Sequence, residues 1–164
     1  MLINLEAFLK EHDIYFELYH HDPIYTNEDA VIMKEEKGFT GTETKALFLK
    51  GKSGNYYSFV TFTTKHTDFK RLKQVVGEKV SIVKSAEMEE LTGQKAGAVT
   101  PVGYEASIPV IVDAELFEQE KLVFAPASPD QTMVILAEDL KKVIALLGNK
   151  LLIYNDNLKE GELR

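Results

Sequence analysis

A chain of 164 residues with 45% hydrophobic and 27% charged side chains can bury the core of one domain, and it lacks the composition of a disordered protein. With no cysteine it has no disulfide, thiolate nucleophile or cysteine-held zinc. A net charge of −7 argues against broad, nonspecific nucleic-acid binding, although the segment from Thr44 to Val80 carries +6 and the remainder −13. That basic segment fits either a solvated face or a surface for a short piece of RNA backbone.

The N-terminus lacks the basic start and long apolar run of a signal peptide, and no segment reaches the roughly 18 apolar residues of a membrane helix, so the expected location is cytoplasmic. Asn4 is placed to cap a first helix carrying Leu5, Phe8 and Leu9. A strand over Ile14–Tyr19 ends at His20-His21-Asp22-Pro23, and Thr26, with Asp29 three residues on, starts a second helix that Gly38 and Gly41 stop. Thr44–Lys50 and Tyr56–Thr63 form a hairpin about the turn-forming Gly51–Asn55. A helix over Asp68–Val76, a short strand over Val80–Val83 and a helix over Ala86–Leu91 capped by Ser85 come next.

Thr92–Gly103 is a loop. Beyond it the pattern predicts strands over Ile108–Val112, Leu122–Phe124 and Thr132–Leu136, with one helical turn over Ala114–Glu118. A last helix spans Ala137–Leu147, and Leu151–Tyr154 adds an edge strand. The reading is α+β, a single domain over residues 1–154 with a charged tail over 155–164. Its sheet is expected to be mixed, mostly antiparallel and barrel-like, with flanking helices.

No GxSxG, P-loop, GxGxxG or HExxH pattern is present, and the spacing of the histidines suggests no metal site. Two features remain. Strand alternation puts Lys45 on one face with Leu47 and Leu49, where it either snorkels at a rim or reaches an anion or carbonyl inside a pocket. Gly97-Ala98-Val99-Thr100-Pro101-Val102-Gly103 is glycine-bounded and stiffened by proline, and its successive N–H groups can hold an oxyanion or hydroxyl. Alone, such a pattern also suits an ordinary connecting loop.

In order and spacing, Thr44-Lys45-Ala46-Leu47-Phe48-Leu49, the hairpin and Gly97–Gly103 resemble the YbaK/prolyl-tRNA-synthetase-associated editing family. His20–Pro23, Ile108–Asp113 and Phe124–Thr132 extend the likeness over roughly residues 1 to 148. The resemblance implies an aminoacyl-tRNA deacylase, a hydrolase that cleaves the ester of mischarged tRNA in trans, with tRNA for proline a candidate, and that needs no cofactor or metal. Its partners would be the aminoacyl-tRNA acceptor end and a synthetase, not DNA or a membrane. It further implies that Lys45, Gly97 and Gly103 carry the chemistry, with His21, Pro23, Thr26, Ala98, Val99, Thr100, Pro101, Ser128 and Thr132 against the substrate.

Two positions depart from the alanine-specific branch, which has Asn after the lysine and a His in the late loop. Here Ala46 follows the lysine and Ala125–Ser128 fills the loop, which leaves the amino acid open. The alternatives are a non-catalytic module that holds an aminoacyl-tRNA end or nucleotide or docks on a synthetase, and a small-molecule enzyme on the same fold.

Overall fold

The longest strand of the protein supports the rest of the sheet. Phe48, Leu49, Phe59 and Val60 are apolar on both faces of their strands and are all buried, as strands covered on both sides require. In the computed structural model, which describes residues 1–156, this strand is β2 (Thr42–Gly51), preceded by α1 (Leu5–Glu11), β1 (Phe16–His20) and α2 (Asn27–Lys37). Then follow β3 (Tyr56–Phe62), α3 (Phe69–Val76), β4 (Val80–Ile82), α4 (Ser85–Thr92), β5 (Val110–Asp113), β6 (Lys121–Phe124), β7 (Gln131–Leu136), α5 (Leu140–Leu147) and β8 (Leu151–Tyr154). The charged tail expected over 155–164 falls, beyond Asp156, outside the described residues.

The strands form one mixed sheet in the order β1-β7-β6-β2-β3-β5-β8, with β4 added to β2. β1–β7, β7–β6, β2–β3 and β2–β4 are antiparallel, whereas β6–β2, β3–β5 and β5–β8 are parallel. The expected barrel-like form is corrected: the path ends at β1 and β8, which do not pair, so the sheet is open.

Helices cover both faces. On one, Leu5 and Leu9 of α1 and Leu140, Val143 and Ile144 of α5 pack on Val60, Val112, Phe124 and Ile135. On the other, Leu72 of α3 meets Leu49, Phe59 and Ile111, while Met33 of α2 meets Val123 and Val134. At ~25 cal/mol per Å² of apolar surface, each buried aliphatic or aromatic side chain contributes about 2 kcal/mol to this packing.

Local chemistry sets the ends of the elements. Asn4, Thr26 and Asp68 cap α1, α2 and α3 through their side-chain oxygens, and Gly38 closes α2 at φ 72°. Several expected boundaries shift by one or two residues, as β1 does to Phe16 and β2 to Thr42, and three shifts have local causes. Ser85 is the first residue of α4 rather than its cap, and Lys84 precedes it without a side-chain cap bond. β5 begins at Val110, because Ile108 closes a turn onto Glu105 and Pro109 has no N–H to donate. The last helix is split into a 3-10 turn over Ala137–Asp139 and α5.

A candidate active site at a gap in the sheet

β2 is too long for one partner on each side, and the mismatch opens a cleft. β3 occupies one edge from Thr44 to Lys50. The other edge is shared: Thr42 and Glu43 pair with Leu122 and Val123 of β6, and Leu49–Gly51 pair with β4. Val83 N–H donates to the Phe48 carbonyl at 2.9 Å and extends the β4 side by one step. Peptide groups alternate between the two edges of a strand. Ala46 therefore turns its N–H and C=O the same way as Phe48, into the gap between β6 and β4. A cleft of about 750 Å³ runs along this gap and borders every residue from Glu43 to Phe48, a size typical of small-molecule sites.

Lys45 lies on the Leu47 and Leu49 face, as alternation requires, and its Nζ donates to the backbone carbonyl of Lys65. That carbonyl belongs to a segment held by charge. Lys65 Nζ is 2.9 Å from Asp113 and 3.3 Å from both Glu115 and Asp156. Burial disfavours the Lys65 ammonium, but the bond to and charge of Asp113, helped by Asp156 and Glu115, outweigh it and raise the pKa. Asp113 is fully buried and accepts a 2.6 Å bond from Thr61, the cross-strand partner of Lys45.

The glycine-proline loop reaches the cleft from the opposite face. Gly97, at φ 83°, borders it together with Ala98 and Val99, and Val99 packs in the cluster of Phe48 and Tyr104. Lys45 and the loop thus approach the cleft from opposite faces around the open edge of β2, rather than from one wall. The rest of the loop turns inward. The Thr100 carbonyl accepts from Tyr104 at 2.7 Å, that of Pro101 from Ser58 at 2.8 Å and that of Gly103 from the Ile3 N–H at 2.9 Å. Thr100 and Pro101, expected against the substrate, and Gly103, expected to carry the chemistry, are buried supports that do not border the cleft. Burial pushes the Tyr104 hydroxyl well up, so it stays a donor.

Thr26 and Thr132 border the cleft, whereas His21 stands behind Thr132. His21 Nδ1 faces the Asp22 carbonyl at 2.7 Å. A carbonyl only accepts, so Nδ1 carries a hydrogen, and in the neutral ring Nε2 accepts from the Thr132 hydroxyl at 2.8 Å. Pro23 and Ser128 lie outside the lining, where their neighbours Ile24 and Pro129 take part, and Ser128 is bonded to Asp130.

Several lining residues escaped the sequence reading. Tyr25 is 81% exposed on the rim and Ile82 55% exposed on β4. Glu43 is the one carboxylate among the lining residues, which include no histidine. The expected strand begins at Thr44 and leaves Glu43 out, whereas β2 starts at Thr42 and puts Glu43 on the face of Lys45. The cleft thus offers one ammonium, one carboxylate, threonine hydroxyls and backbone N–H groups beside apolar walls formed by Phe48, Met88 and Phe124. Among the described residues no three acidic or histidine side chains converge to hold a metal, and no helix is long and apolar enough to cross a membrane.

Residues 21–143 match the model of the aminoacyl-tRNA editing domain. The prolyl-tRNA editing protein ProX of Acetoanaerobium sticklandii is 29% identical over 149 residues, covering 87% of this chain and 90% of that protein. Two crystal structures share the fold: a hypothetical protein, APE2540, at 20% identity and TM-score 0.73, and a candidate trans-editing enzyme for prolyl-tRNA synthetase at 22% identity and TM-score 0.69. Each covers 90% of this chain, and the matches span 95% and 93% of their own chains. With the family match covering most of its length and all its site elements, the chain belongs to the aminoacyl-tRNA editing domain family.

Proposed function

We propose that this protein is a deacylase that hydrolyses the ester joining a wrong amino acid to the terminal adenosine of a tRNA, with tRNA for proline the first candidate, as the name of the A. sticklandii relative suggests. The observation that carries the reading is the convergence of Lys45 and the Gly97–Val99 backbone on one cleft of about 750 Å³.

In the reaction a water oxygen bonds to the ester carbonyl carbon and gives up a proton, which the leaving ribose oxygen later takes, and the carbonyl electrons move onto oxygen. When that oxyanion collapses, the bond to the ribose oxygen breaks, and this oxygen takes up a proton to leave as the hydroxyl of the tRNA. The aminoacyl ester is already activated, so positioned donors near the developing oxyanion supply much of the acceleration. The Gly97 and Val99 N–H groups suit that role, while that of Ala98 is engaged by the Lys95 carbonyl at 3.0 Å. Lys45 suits the neighbouring phosphate or carbonyl, and Thr26 and Thr132 suit the ribose hydroxyls. Tyr25 offers an exposed ring at the rim on which the terminal adenine stacks.

The test is a panel of mischarged tRNAs incubated with the protein and with Lys45→Ala. Deacylation of at least one ester, lost in the variant, is expected. Saturable binding without turnover would instead make the protein a holding module, and no effect on any tRNA would end the proposal.

A further inference from the structure

The lining residues include one carboxylate, that of Glu43, and one ammonium, that of Lys45. Glu43 and Lys45 are two residues apart on β2, so both side chains project from the same face. At about 3.3 Å of rise per residue they start roughly 7 Å apart. Glu43 is held on one side only: its Oε1 lies 3.3 Å from Lys34 Nζ, with the side chain 39% exposed. Lys34 is itself fixed, donating to the Gly41 carbonyl at 2.8 Å. The second carboxylate oxygen of Glu43 has no partner among the described residues.

An aminoacyl ester has matching polarity. Its α-amino group is an ammonium near neutral pH, one carbon from the carbonyl that is attacked. Glu43 suits the ammonium end, and Lys45, on exchanging the Lys65 carbonyl for a substrate oxygen, suits the other.

We propose that Glu43 binds the free α-ammonium of the aminoacyl group and so restricts the cleft to esters of unblocked amino acids. This rests on the deacylase reading and names its substrate class: aminoacyl ends with a charged amine are taken, and N-acylated ends are refused. Glu43 is a binding residue in this scheme and not a proton acceptor, since the amine it holds stays protonated throughout. Lys34 sets the carboxylate angle and neutralises part of its charge, which keeps an empty cleft from repelling the phosphates of the acceptor end.

The experiment compares one aminoacyl-tRNA with its N-acetylated form, under single-turnover conditions, for the wild-type protein, Glu43→Gln and Glu43→Asp. The wild type should prefer the free amine by about tenfold or more, as a hydrogen bond to a charged group allows. Glu43→Gln should lose this preference by slowing only the free-amine substrate, and Glu43→Asp should keep part of it. Equal rates on both substrates by the wild type would overturn the proposal while leaving deacylation intact. So would an equal slowing of both substrates by Glu43→Gln, which would make the carboxylate a general base or a structural group. If the wild type cleaves neither substrate at any amino acid, the deacylase reading and this proposal fall together.

Discussion

The ammonium of Lys45 is bonded to the backbone carbonyl of Lys65, and the side chain of Lys65 is in turn gripped by Asp113, Glu115 and Asp156. Thr61, opposite Lys45 in the ladder, binds the same Asp113. The candidate site lysine is therefore aimed by a charge cluster to which it does not belong. The cluster holds a carbonyl, and a carbonyl is an acceptor that a substrate oxygen can replace without reorganising the charges.

Removing the lysine should therefore damage the reaction and spare the fold. Lys45→Ala is expected to lower single-turnover deacylation by about a hundredfold, the scale for losing one donor near a developing charge. Stability in urea should change by about 1 kcal/mol, the worth of one hydrogen bond at a half-open position. Lys45→Arg should not restore the rate, because a planar fork cannot take the place of a compact ammonium on the Lys65 carbonyl.

The cluster itself should act on stability first. Asp113→Asn leaves the Lys65 ammonium facing only its more exposed partners, and breaking such a buried pair costs about 3 kcal/mol. The Lys65 pKa is raised in the folded protein. Its contribution is therefore complete below the unfolded value of about 10.4 and is lost as pH rises through the folded one. Urea midpoints should show a deficit for Asp113→Asn that is constant from pH 6 to 9 and narrows only in strong alkali.

Glu17 works in the opposite direction. It accepts from Tyr15 at 2.8 Å, from Lys121 at 2.9 Å and from Tyr19, whose hydroxyl is pushed up to about 12 mainly by that bond. Burial disfavours the carboxylate, but the three donors together prevail and lower its pKa. Its contribution is present above the unfolded value of about 4.3 and disappears as pH falls through the folded one. Glu17→Gln should thus destabilise the β1–β7–β6 end by about 1 kcal/mol at pH 7, discounted for partial exposure, and match the wild type near pH 3. A gap that persists in acid would assign the loss to packing.

What could be read in advance follows the range of the forces involved. The caps Asn4 and Thr26 act within three residues of themselves, and the Thr44–Phe62 hairpin register follows from a short turn, so both were legible, whereas Asp68, expected inside its helix, caps it. Lys45 and Gly97 carried enough local chemistry to be marked. The gap was not legible, because it depends on two strands distant in sequence, β4 and β6, sharing one edge of β2. For the same reason nothing local separated Gly97, which borders the cleft, from Gly103, whose carbonyl serves the Ile3 N–H. Tyr25 and Ile82 carried no mark in the sequence, and only the folded chain puts them on a cleft.

Gly97 separates backbone conformation from space. A Cβ built there meets nothing within 4 Å, but φ is 83°, in the left-handed region. Gly97→Ala should therefore cost about 1–2 kcal/mol from conformation alone. If the loop instead relaxes to a negative φ, the Ala98 N–H loses its bond to the Lys95 carbonyl, the Val99 N–H turns away from the cleft, and deacylation drops about tenfold or more with little loss of stability. Rates and urea midpoints measured together distinguish the two, and unchanged values for both would remove the loop from the mechanism.

Tyr25 tests the nucleotide side of the cleft without touching the ester. It is 81% exposed, and Ile24 beside it is anchored in the Met33–Val123 cluster. Truncating the ring therefore leaves the core alone. A base stacked on an aromatic side chain is worth about 1–3 kcal/mol. Tyr25→Ala should accordingly raise the KM for mischarged tRNA about tenfold with kcat nearly constant, and Tyr25→Phe, which keeps the π-face, should behave as wild type. A simple aminoacyl alkyl ester has no adenine, so Tyr25→Ala should hydrolyse it as fast as the wild type does. Should the alkyl ester suffer equally, the ring would be shaping the catalytic pocket, and the adenine would have to lie elsewhere along the edge of β2.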